Sequence, residues 1–203
     1  MKDMRIDRRA KLVWLASLAA LAVWTAGGHA RAGEVLDCAY DAGGGQTVTL
    51  SACASVSPGG ELRLQPGRLS ALKFDGDGLA AVFVGPFTFY VSHSGRTAPV
   101  ARVEGKAAEF HDGLAPSPRA VGGHYKIGYI DKNLALVIPA HFDGGLDFDN
   151  GHAQVCRGCS VSRDGEIAEM QGGVWGCIDM AGREVVPLTH PTPDDLDCAS
   201  AGG

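Results

Sequence analysis

The sequence predicts an all-β protein, a meander of antiparallel hairpins built as about two and a half to three related units. Three observations predict it. Beyond the first thirty-odd residues, apolar positions show no helical period. The chain carries 29 glycines and 10 prolines spread throughout its 203 residues, too many punctuators for long helices. One phrase is also written twice, as "HYKIGYIDKNLALVIPAHFD" over residues 124–143 and "GGVWGCIDMAGREVVPL" over residues 172–188.

The first element is a leader. Residues 1–11 carry Lys2, Arg5, Arg8, Arg9 and Lys11, and an uncharged apolar run, "LVWLASLAALAVWTA", follows. At roughly 15 residues that run is shorter than the roughly 20 needed to cross a bilayer. Ala30-Arg31-Ala32 then supplies the small residues of a cleavage site. Residues 1–32 are therefore expected to be a removed signal peptide, leaving a periplasmic or secreted protein with no membrane insertion. The leader holds six of the 18 basic and two of the 23 acidic residues, so the remainder has a net charge of −9. Such an acidic domain lacks the basic field that nucleic acid requires.

Residues 33–73 come next. "QTVTLSACASV" and "GELRLQPGRLSALKF" read as strands, and the segment is expected to cap the repeats as a β-hairpin. Residues 74–188 hold the repeats, and residues 189–203 form a tail. Aligning Tyr129 with Cys177 brings out a fainter first copy, "FTFYVSHSGRTAPV", with Tyr90 in the same column. Ser92, Asp131 and Asp179 share a second column, and Gly95 and Gly182 face Leu134 in a third. Each copy ends in proline, Pro99 one place earlier than Pro139 and Pro187. Between copies a second element recurs: Phe74 before "GLA", Phe110 before "GLA", Phe148 before "GHA". Tyr90, Phe110, Tyr129, Phe148 and Trp175 are the expected repeat core.

"WGCID", "IGYID", "HFD" and "FDNGHAQV" resemble the unit of bacterial WG-repeat proteins, a Trp-Gly-Tyr-Ile-Asp phrase, a glycine turn, a Val-Ile-Pro strand and a Phe-x-x-Gly-Leu-Ala-x-Val element. The resemblance covers residues 74–188 and is strongest over 124–188. It implies stacked β-repeats in a cell-envelope setting, and no reaction. Whether the meander closes into a barrel, adopts a propeller-like form or stays open is undetermined at this level.

Six cysteines, Cys38, Cys53, Cys156, Cys159, Cys177 and Cys198, follow the leader. An even count in an exported chain points to disulfides, with 15 possible connectivities. Nearness favours Cys38–Cys53, and Cys156–Cys159 with Cys177–Cys198 complete the preferred set. Cys156-Arg157-Gly158-Cys159 also admits a thiol–disulfide catalyst, although such a pair should open a helix. As half a zinc site the pair would need two more ligands, which Cys177, Cys198 or His152 could supply, but export favours oxidation of the thiols. A calcium reading at "DFDNGH" lacks a Glu at the twelfth position, so no metal or cofactor is expected. Asp131 and Asp179 are read as turn residues that bond their own backbone, in preference to a carboxylate pair.

Connections between the second element and the next copy span 10, 14 and 24 residues, so all growth sits in one place. Length-tolerant connections on a repeat scaffold tend to share a binding face. The longest one, residues 154–174, carries Arg157, Arg163, Asp164, Glu166 and Glu169 as candidate binding residues; the alternative is an inert insertion. The expected function is an exported envelope binding protein, without catalysis, whose partner is a protein or an envelope polymer. A thiol–disulfide protein using Cys156 and Cys159, or a purely structural or inhibitory domain, is the alternative.

Overall fold

A computed structural model describes residues 34–164, 167–194 and 196–198. The leader expected over residues 1–32 lies outside them. Seventeen strands run in order: β1 (Leu36–Asp41), β2 (Thr47–Val56), β3 (Leu62–Leu64), β4 (Leu79–Val84), β5 (Phe87–Ser92), β6 (Thr97–Pro99), β7 (Arg102–Val103), β8 (Lys106–Ala107), β9 (Leu114–Val121), β10 (His124–Asp131), β11 (Leu136–Phe142), β12 (Gly144–Gly145), β13 (His152–Arg157), β14 (Ser160–Asp164), β15 (Ile167–Gln171), β16 (Val174–Asp179) and β17 (Glu184–His190). A 3₁₀ turn at Leu69–Ala71 is the one helical piece among the described residues. Every strand pair is antiparallel, as the hairpin signals require.

The largest sheet has six strands in the order β3-β2-β1-β4-β5-β6. It curls until its two edges adjoin, and Thr97 Oγ1 donates to Leu62 O across the gap at 3.2 Å. This barrel-like form leaves little free edge. Alternation in β1 and β4 sends Cys38, Tyr40, Val82 and Val84 inward, where they meet Phe89, Val91 and the Cys38–Cys53 disulfide. The expected boundary at residue 73 falls inside this sheet. Residues 36–64 do not cap the repeats as a separate hairpin; they complete a sheet with the first copy, because β1 pairs with β4.

The second copy is the sheet β11-β10-β9, and the third is β12-β13-β16-β17. Successive apolar clusters join the units. Tyr90, Val100, Ala115, Ile130 and Leu134 lie between the first and second. Tyr129, Ile138, Phe142, Phe148, Val155 and Ile178 lie between the second and third. The first and third units also hold apolar clusters of their own, and stacking adds the cores between units.

The repeat is reproduced at atomic detail in its turns. Gly95, Leu134 and Gly182 each donate N–H to the carbonyl three residues back, that of Ser92, Asp131 or Asp179. The next N–H meets the side-chain oxygen of the same residue: Arg96 on Ser92, Ala135 on Asp131, Arg183 on Asp179. Asp131 and Asp179 thus serve their own turns. Leu134 takes the left-handed conformation, at φ 61°, that glycine fills in the other copies. Its side chain is buried between units, which offsets a strain of roughly 1–2 kcal/mol.

The glycine of the Trp-Gly phrase has an equally local cause. Between Ile127 and Tyr129 the partner strand advances from Phe142 to Ile138, and between Trp175 and Cys177 from His190 to Val186. These bulges press the partner's main chain against the glycine. A Cβ on Gly128 would sit 2.8 Å from Ala140 N, and one on Gly176 would sit 2.5 Å from Val186 O. A second bulge makes Ile130 face Leu136 and Ile178 face Glu184. The first copy has neither bulge: Phe89, Tyr90 and Val91 face Pro99, Ala98 and Thr97 in unbroken register. The missing extra residue is why Pro99 comes one place early.

Candidate functional site

The long connection after β13 is a hairpin, not the glycine-rich loop that its composition suggests. β14 pairs with β15 from Ser160 opposite Gln171 to Asp164 opposite Ile167. Gly158, Gly172 and Gly173 adopt positive φ at its base, where the ribbon turns off the third sheet. At Gly173 a side chain would collide with the backbone of Arg157 and Cys159, so only glycine fits.

Three ties fix that base. Cys156 and Cys159 form a disulfide, and both are buried. Met170 packs against the same apolar cluster as Trp175 and Leu196. Asp143, the acidic residue of "HFD", accepts Gly158 N–H at 2.8 Å and pairs with Lys126. The Gly158 N–H first, and the Lys126 ammonium second, hold the Asp143 carboxyl below the usual carboxylate range.

The expected binding residues are dispersed. Arg157 lies on β13; its guanidinium pairs with Glu184 at 3.1 Å and covers the Phe142 ring at 5.9 Å. It therefore fastens the sheet rather than projecting from the connection. Arg163, opposite Ala168, Asp164, opposite Ile167, and Glu169, opposite Ser162, belong to the hairpin. Glu166 lies outside the described residues. Val161 is 59% exposed on β14. Asp143 was not singled out in the sequence, although its "HFD" context marked the segment.

The core aromatics are buried with one exception: Tyr90, Tyr129, Phe148 and Trp175 are closed off, whereas Phe110 is half-buried. Phe110 stacks on Tyr90 at 5.2 Å, and both rings line a cavity of about 430 Å³ with Lys73, Asp75 and Lys106. Burial, then the charges of Asp75, Glu109 and Asp77, push the Tyr90 hydroxyl up to about 12.

Cys198 bonds to Cys177, the pairing preferred from the sequence. Within the expected tail, Leu196 is buried, and Gln154 Nε2 donates to Pro193 O at 3.2 Å and Leu196 O at 3.1 Å. These residues complete the third unit. With Cys38–Cys53 and Cys156–Cys159 they make three disulfides, compatible with an extracellular or periplasmic location.

No curated protein and no solved structure matches the chain. Residues 127–158, from within β10 to the end of β13, match the family of the WG containing repeat, and this stretch of the chain carries such a repeat.

Proposed function

We propose that the protein is an exported binding protein of the cell envelope, without catalytic activity, and that the β14–β15 hairpin docks its partner. The observation that carries this reading is the hairpin's isolation. Among the described residues β14 and β15 pair only with each other, so both outer edges keep free backbone donors and acceptors. Such edges accept an added strand, which favours an extended protein segment over a polymer. A two-stranded ribbon is marginal by itself. The disulfide, Asp143 and Met170 at its base reduce the ordering cost of binding. Thiol exchange at Cys156 and Cys159 is the weaker reading, because both sulfurs belong to residues closed off from attack.

The test is capture from an envelope extract by the full chain and by a variant lacking residues 160–171. Capture by the parent and its loss in the variant, with an unchanged β circular-dichroism signal, supports the reading. Undiminished capture by the folded variant refutes it. N-terminal sequencing of the exported product should begin at Gly33; recovery of Met1 on the functional protein would refute export with cleavage.

A further inference from the structure

Away from the hairpin, a cavity of about 500 Å³ opens where the two edges of the barrel-like sheet meet β9. Its wall includes Ser55, Glu61, Arg63, Thr97, Pro99 and Arg119. Arg119 is brought there by the ties of β9 to the first sheet: Ala101 N–H donates to Pro116 O at 2.8 Å and Ser117 Oγ donates to Pro99 O at 2.5 Å. Ser55 and Arg63 face each other across β2 and β3.

Arg119 Nε is the one buried side-chain nitrogen or oxygen among the described residues without a hydrogen bond. Leaving a buried donor unmade is costly, the more so on a charged group. Neither Arg119 nor Arg63 is in an ion pair among the described residues. Guanidinium stays charged, and it presents its donors as a planar fork that fits a carboxylate at two points. The two arginines stand against one acid, Glu61, so the cavity carries one net positive charge. That balance suits a monoanion, and Glu61 opposes a doubly charged group. The volume suits a ligand of dipeptide or monosaccharide size.

We infer that this cavity is a binding site for a small monoanionic carboxylate, held by Arg119 and Arg63 with the Ser55 hydroxyl beside them. The site is independent of the hairpin. The free carboxylate of a peptide end and that of a uronic acid share the required chemistry.

The test follows arginine Nε–H signals of the ¹⁵N-labelled full chain by NMR during four titrations. The probes are N-acetyl-alanyl-alanine, its C-terminal amide, galacturonate and inorganic phosphate. A saturable shift of the Arg119 signal with either acid, absent with the amide, supports the site, and the stronger acid identifies the source. Arg119→Lys identifies the signal by removing it, and should weaken binding by about tenfold or more, since the fork is lost. Arg63→Gln, at an exposed position, should weaken the same acid and locates the response should the lysine variant misfold. An unmoved Arg119 signal, an equal response to the amide, or phosphate bound as well as the acids would overturn the inference.

Discussion

The second and third copies share a main chain and differ in how each is tied shut. In the second, Tyr129 donates its hydroxyl to Leu146 O at 2.8 Å, and its ring meets Phe148 edge-on at 4.9 Å. In the third, Cys177 stands in the tyrosine column and forms a disulfide with Cys198, while Leu196 takes the place of the phenylalanine. The first copy repeats the second, with Tyr90 donating to Ala108 O at 3.0 Å and stacking on Phe110. The turns and both bulges are common to copies two and three. What the unit holds fixed is therefore backbone register. The tie that folds its second half back over the strand can be a hydrogen bond or a covalent bond.

The largest effect expected is at Trp175, which is 1% exposed and donates Nε1–H to Gly172 O. Trp175→Ala should cost about 3–5 kcal/mol in urea unfolding. An unchanged midpoint would mean the ring packs on nothing that matters to the third unit. Opening the covalent tie comes next. The double change Cys177→Ser with Cys198→Ser should cost about 2–4 kcal/mol. Native-state hydrogen exchange should locate the loss in β16 and β17; uniform loss would show the copies are not separable.

The shared bulges can be probed in both copies alike. Gly128→Ala and Gly176→Ala should each cost about 1–3 kcal/mol, and by similar amounts, since the obstruction is main chain in both. Unequal costs would break the claim of a common register. Smaller still, Tyr129→Phe should cost about 1 kcal/mol by removing one buried hydrogen bond.

The hydrogen-bonded tie also has a pH signature that the disulfide lacks. Tyr90 and Tyr129 are both raised above the ordinary value of about 10, mainly by burial. A raised folded pKa stabilises the fold fully below the unfolded value and loses that contribution as pH rises through the folded one. Stability should therefore fall from about pH 10 through 12, the upper value being that of Tyr90. The double variant Tyr90→Phe, Tyr129→Phe should fall less steeply there. Parallel curves would show that these hydroxyls do not carry the effect.

Much of this was legible in the chain because the repeat signals are local. Asp131 and Asp179 announce their turns, and the glycines mark close approach. The hairpin over residues 160–171 was missed because its polar residues mask the strand pattern, although the Asp164-Gly165 dipeptide is a turn signal. The half-exposure of Phe110 and the roles of Pro193 and Leu196 depend on what lies opposite in space, which no repeat column reports. The Arg119 cavity joins β2, β3, β6 and β9, so no single stretch of sequence contains it.

The order of the three disulfides has a consequence for how the chain matures. Numbered from the N-terminus, the cysteines join first to second, third to fourth and fifth to sixth, across 15, 3 and 21 residues. No bridge encloses or crosses another. Were the chain delivered into an oxidising compartment N-terminus first, the second thiol of each pair would arrive directly after the first and before any thiol of a later pair. Oxidising every new pair as it arrives reproduces this connectivity out of the 15 possible. Vectorial delivery can thus set the pairing without a round of disulfide exchange, whereas refolding the reduced whole chain exposes all six thiols together and invites scrambling.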